Sequence, residues 1–206
     1  MAWRRRGAAP RRGTPAELLI VGLANPGSEY EGTRHNVGGM AVEALASRYG
    51  ATLKVEPRQR ARLAEVTIGG HRVALAVPTT YMNESGAALP GLLDRTGVEE
   101  IDKILIVHDE LDFDAGRLQL KVGGGIAGHN GLRSVKTTLK SPDFLRLRMG
   151  VGKPPSAQAG ANWVLSKPGK KDAEVIAIAI QQAADALEQV ITRGFEAAMG
   201  TVNVRG

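Results

Sequence analysis

The chain has 206 residues, 43% of them apolar, and no cysteine. That suits one globular domain and excludes disulfide scaffolds, thiolate metal sites and cysteine nucleophiles. The formal net charge of +6 is unevenly spread: residues 1–12 carry five basic and no acidic side chains, residues 13–115 nine against fifteen, residues 116–153 eight against one, and residues 154–206 five of each.

The opening stretch "MAWRRRGAAPRRG" shows no apolar periodicity and reads as a disordered Arg-rich tail over residues 1–15, with a single catalytic domain expected over 16–206. No apolar run approaches the roughly 18 residues of a membrane span and no signal-peptide core is present, so a cytoplasmic protein without membrane contact is expected. Leu18 to Leu23 is an unbroken aliphatic run, the mark of a strand covered on both faces. The polar stretch "ANPGSEYEGTRHN" follows, and then Val37, Met40, Ala41, Ala44 and Leu45 keep helical spacing up to Gly50. "RLAEVTIGGHRVALAVP" reads as a hairpin turning at Gly69-Gly70. "ESGAALPGLLDRTG" reads as a short helix in which Pro90 introduces a kink.

Lys103 to Val107 is a second buried run, and Arg117 to Val122 alternates like a half-exposed strand. A helix is expected after Asn130, with Leu132, Val135 and Leu139 inward and Arg133, Lys136 and Lys140 outward. "FLRLRMGVG" alternates strictly and sets Arg146 and Arg148 on one face, Leu145, Leu147 and Met149 on the other. Residues 154–169 read as a Pro/Gly-rich connection and residues 170–193 as a long helix. Strands alternating with helices predict an α/β sandwich: a central mixed, largely parallel twisted sheet flanked by helices.

Four polar clusters follow expected strands: Asn25 to Asn36, "PTTYMNESG", "HDELD" and "GGGIAGHNG". If those strands are parallel, their carboxyl ends share one sheet edge, where open α/β sheets bind ligands. His35, His108 and His129 offer a base, Asp109, Glu110, Asp112 and Asp114 an orienting acid, and Asn25, Asn83 and Asn130 amides suited to a peptide-like carbonyl or an oxyanion. The nucleophile elbow, the Walker loop and the dinucleotide fingerprint are all missing. Hydrolysis by base-activated water fits this set. The basic excess over 116–153 suits a polyanionic partner.

The blocks "VGLANPGSEYEGTRHN", "PTTYMNESG", "HDELD", "GGGIAGHNGLRS" and "FLRLRMGVGKP", in this order, resemble the bacterial peptidyl-tRNA hydrolases, and "GFEAAMGTVN" is similar to that family's C-terminal end. The resemblance implies cleavage of the ester between peptide and tRNA, with no metal or other cofactor, by a monomer with no obligate protein partner. It implies that His35 is the general base and Asp109 its orienter. Asn25 would read the peptide end and exclude unblocked aminoacyl-tRNA. Asn83 and Asn130 would hold substrate and oxyanion, Tyr30, Tyr81 and Met82 would shape the groove, and Lys121, Arg133, Arg146 and Arg148 would contact tRNA phosphates. The chain departs from the family pattern in Ala127, where a glycine is usual, and in the length of its Arg-rich tail. Two other readings stay open from the residues alone: a non-catalytic RNA-binding relative, and a metal hydrolase built on His108, Asp109, His129 and Asp112.

Overall fold

The computed structural model describes residues 14–205; the tail expected over 1–15 lies outside the described residues apart from its last two positions. Seven strands form one sheet: β1 (Leu18–Gly22), β2 (Lys54–Glu56), β3 (Ala61–Ile68), β4 (His71–Pro78), β5 (Ile104–Glu110), β6 (Leu118–Val122) and β7 (Leu145–Gly150), in the order β2-β3-β4-β1-β5-β7-β6. The inner four, β4, β1, β5 and β7, run parallel, whereas β2, β3 and β6 pair antiparallel with their neighbours.

Alternate residues along each inner strand enter opposite layers, as the two-residue period of a strand requires. Ile20, Leu75, Leu105, Val107 and Leu147 face helices α1 (Val37–Arg48), α5 (Lys170–Arg193) and α6 (Phe195–Val202). Leu19, Val21, Ala76 and Ile106 face α2 (Leu89–Thr96) and α3 (Asn130–Leu139). Each fully buried aliphatic side chain contributes roughly 1.5–3 kcal/mol relative to exposure. This two-sided burial is the reason β1 and β5 read as continuous apolar runs.

The β3–β4 hairpin turns where predicted, with Gly69 and Gly70 both at positive φ. Pro90 does not kink a longer helix; a 3-10 segment covers Met82–Ala88, and Pro90 sits in the first turn of α2, where its missing N–H costs nothing. Three elements were not expected from the residues: the three-residue β2, the five-residue α4 (Gly160–Val164) inside the 154–169 connection, and α6. At the β6 edge, the Asn203 amide accepts from Leu120 N–H at 2.8 Å and donates to Leu120 C=O at 3.0 Å. No helix among the described residues is long and apolar enough to cross a membrane.

Three of the four polar clusters do leave the carboxyl ends of parallel strands. The fourth does not: Val122 pairs with Leu145 at the start of β7, so the end of β6 lies at the opposite edge. Residues 123–129 travel back across the sheet face, and Arg146 holds them there by donating to Gly124 C=O at 2.9 Å and Gly125 C=O at 2.6 Å.

Candidate active site

The first turn of α1 packs directly against the sheet edge. A Cβ on Gly38 would lie 2.2 Å from Val107 O, so only glycine permits this approach. The consequence is local: the 3-10 turn Arg34–Asn36 is brought against the end of β5, and His35 Nδ1 lies 2.8 Å from Asp109 Oδ1. A third residue completes the group. His129, the N-cap of α3, places Nε2 2.9 Å from the same carboxylate oxygen.

These contacts assign the hydrogens. His129 Nδ1 accepts from the backbone N–H groups of Gly131 at 3.1 Å and Leu132 at 3.3 Å, so its hydrogen is on Nε2 and is donated to Asp109. Burial alone would push the Asp109 carboxyl up, but the adjacent His129 and His35 imidazoles outweigh burial and hold it well below the ordinary carboxylate range. An ionised carboxylate only accepts, so His35 donates from Nδ1, and it is the neutral ring that has its lone pair on Nε2.

His108 is not part of this relay. Its Nδ1–H donates to the Asp109 carbonyl oxygen at 2.7 Å, its ring packs edge-on to His129, and burial lowers it to about 3, which keeps it neutral. The proposed metal set is not assembled either. Among the described residues the ligand atoms that converge, within 4.8 Å, are those of His35, Asp109 and His129; Asp112 is exposed. A metal on His129 Nε2 would move that ring's hydrogen to Nδ1, facing the Gly131 and Leu132 N–H donors, so the donor set does not suit an ion.

Asn36 fixes its neighbour across the turn. Its Oδ1 accepts from Asn25 N–H at 2.8 Å and its Nδ2 donates to Asn25 C=O at 3.0 Å. Asn25 Oδ1 accepts from Met82 N–H at 2.8 Å, which orients the side chain and leaves its NH₂ as the group on offer. Met82 is buried, Asn83 is exposed, and Tyr30 meets Tyr81 edge to face with centroids 6.3 Å apart.

A cavity of about 220 Å³ opens beside His35, bordered by Asp109, His129, Asn130, Lys121, Arg148 and α4. Asn25, Tyr30, Tyr81, Met82 and Asn83 do not line it; they form a neighbouring group joined to it through Asn36. Asn130 is exposed and its Oδ1 accepts from Arg133 Nη1 at 3.1 Å, so its NH₂ also remains available.

The four expected phosphate contacts separate into different environments. Lys121 and Arg133 are exposed. Arg148 is ion-paired to Glu110 at 2.8 Å and bonded to Gln119. Arg146 is 2% exposed, and its guanidinium is committed to the carbonyls of Gly124, Gly125 and Pro142. Arg146 thus holds the returning loop over the face that strand alternation assigned to it, and it also borders the cavity.

Comparison with known proteins accounts for this arrangement. A family model described as peptidyl-tRNA hydrolase matches residues 19–206. The chain belongs to the peptidyl-tRNA hydrolase family. The peptidyl-tRNA hydrolase of Mycolicibacterium vanbaalenii is 46% identical over 189 residues, covering 92% of this chain and 98% of that protein. The peptidyl-tRNA hydrolase of Kineococcus radiotolerans is 46% identical over 187 residues, covering 87% and 93%. The crystal structure of the Acinetobacter baumannii peptidyl-tRNA hydrolase superposes with a TM-score of 0.85 at 40% identity, covering 93% and 97%. The α/β sheet with its flanking helices is thus that of the peptidyl-tRNA hydrolases.

The residues missed at the sequence level are Asn36, the Asp109-bound role of His129, and Arg34. His is not a usual N-cap, so nothing in "GHNG" marked His129 as one. The only available signal for Asn36 and Arg34 was their place on either side of His35.

Proposed function

We propose that this protein hydrolyses the ester joining peptide to tRNA in peptidyl-tRNA, with His35 as general base. The observation that carries the reading is the 2.8 Å contact of His35 Nδ1 with the buried, ionised Asp109, on a ring that borders the cavity; in the neutral ring this leaves Nε2 as the proton acceptor. A water proton passes to His35 Nε2 as the water oxygen bonds to the ester carbonyl carbon, whose oxygen becomes an oxyanion. The tetrahedral species then reforms the carbonyl and breaks the bond to the ribose oxygen, which takes the proton back from His35. Free tRNA and the peptide acid leave, the acid releasing its proton to solvent to become the carboxylate. Asp109 stabilises the imidazolium between the two proton transfers.

The NH₂ groups of Asn130 and Asn83 would serve the oxyanion and the substrate. The Asn25 NH₂ explains selectivity. It can donate to the carbonyl of a blocked amino group, whereas a free α-ammonium has only donors and leaves the amide unpaired. Lys121 and Arg133, with Arg148 behind them, form the cationic approach for phosphates. All catalytic groups come from one chain, which fits a monomer, and a tRNA substrate fits a cytoplasmic enzyme.

The test compares cleavage of N-acetyl-aminoacyl-tRNA and free aminoacyl-tRNA by wild type, His35→Ala and Asn25→Ala. Wild type should cleave only the blocked substrate. His35→Ala should lose at least about 10²–10⁴-fold in turnover with tRNA affinity retained. Asn25→Ala should narrow the discrimination. An inactive wild type that still binds tRNA would identify a binding protein instead.

A further inference from the structure

Arg34, the residue before the base, is 3% exposed. A buried guanidinium is tolerated only when its donors are used, and here they are. Nε donates to Val151 C=O at 3.3 Å; Nη1 donates to Ser166 Oγ at 2.9 Å and Lys167 C=O at 3.1 Å; Nη2 pairs with Asp172 Oδ2 at 3.2 Å. Its flat face lies 3.8 Å from the centroid of the Trp163 ring, and its backbone N–H donates to Ser166 C=O.

These partners have a common geography. Val151 directly follows β7, Ser166 and Lys167 lie in the short link between α4 and α5, and Asp172 lies in the first turn of α5. Trp163 in α4 joins the two ends, donating from Nε1 to Gly152 C=O at 2.9 Å. Between these anchors the chain forms an arch, mostly exposed, whose Gly160, Ala161 and Val164 border the cavity beside His35.

We propose that Arg34 is a positioning residue that clamps both roots of this arch, so that α4 and His35 stand in a fixed relation while substrate occupies the cavity. The proposal rests on the reading of the cavity as the hydrolytic site. The chemistry explains why arginine is needed: a rigid planar fork reaches several carbonyls and a carboxylate while stacking on indole, and a lysine ammonium offers neither the fork nor the face. Because Arg34 is peptide-bonded to His35, release of the arch and misplacement of the base are one event.

The chain has two tryptophans, and Trp3 lies outside the described residues, so Trp3→Phe leaves Trp163 as the sole reporter. In that background, Arg34→Lys and Asp172→Asn are compared by acrylamide quenching of Trp163 and by steady-state cleavage of N-acetyl-aminoacyl-tRNA across pH. Arg34→Lys should raise the quenching constant severalfold and lower kcat/KM by about ten- to a hundredfold, the scale of an ångström-level misplacement. The shape of the pH profile should be unchanged. Asp172→Asn, altering a half-exposed partner, should move both readouts the same way by less, and it decides the matter if Arg34→Lys does not fold. The clamp is overturned if Trp163 becomes accessible with kcat/KM unaltered, or if activity falls with Trp163 as shielded as in wild type. No cleavage by the wild-type chain would refute the reading of the reaction; wild-type cleavage with unchanged variants refutes only the clamp.

Discussion

Asp109→Asn separates the charge of the buried acid from its shape. The amide keeps one carbonyl oxygen where Oδ1 now accepts from His35 at 2.8 Å and His129 at 2.9 Å, so both rings can stay in place. What disappears is the negative charge facing the imidazolium that forms as His35 takes the water proton. With charge centres about 4 Å apart and an effective dielectric of about 20, that interaction is worth about 4 kcal/mol. It exists only after the proton has moved, so its loss falls on kcat rather than KM, by about a thousandfold. Single-turnover cleavage of end-labelled N-acetyl-aminoacyl-tRNA at saturating enzyme measures the step, with thermal melting as a control for folding. A folded Asp109→Asn variant within tenfold of wild type, or one altered only in KM, would refute the assignment of Asp109 as the group that stabilises charged His35.

Ala127 has φ 43°, a left-handed conformation that costs an alanine about 1–2 kcal/mol. Ala127→Gly should raise stability in urea by up to about 1 kcal/mol after the added unfolded-state entropy is offset, with kcat/KM nearly unchanged. His108, lowered to about 3 by burial, is neutral in the folded chain while the unfolded chain binds a proton below about pH 6.5. Its contribution to stability is therefore complete above pH 6.5 and is lost progressively as pH falls toward 3, and His108→Asn should flatten the urea midpoint against pH in that window. In tRNA binding, Lys121→Ala and Arg133→Ala should each reduce the slope of log K against log salt by about one unit. Arg146→Lys should leave that slope intact and instead lower thermal stability, since its guanidinium holds loop carbonyls.

The inner strands were readable because burial on both faces removes polar positions altogether, leaving runs such as Leu18 to Leu23. Strand direction was not readable in the same way. Alternation in Arg117 to Val122 is the same whether β6 runs with β7 or against it, and that one unknown decided the path of residues 123–129 and the burial of Arg146. The elements β2 and α4, at three and five residues, are shorter than the windows in which periodicity shows. Within the site, each histidine and acid was visible as a residue type, yet His35 and Asp109 are 74 positions apart, and no spacing rule joins them. Their pairing, which the family resemblance anticipated, depends on Gly38 meeting the backbone of Val107, a contact between distant segments that no local pattern shows.

The Asn203 amide at Leu120 mimics one residue of an eighth strand and then stops. A sheet bounded in this way offers no continuous ladder for another chain to extend, and its other boundary, β2, is three residues long with Lys54 and Glu56 at its ends. Loss of that amide would bare the Leu120 N–H and C=O and leave β6 a longer open edge. Asn203 thus acts as a side-chain stop on a strand edge remote from the chemistry.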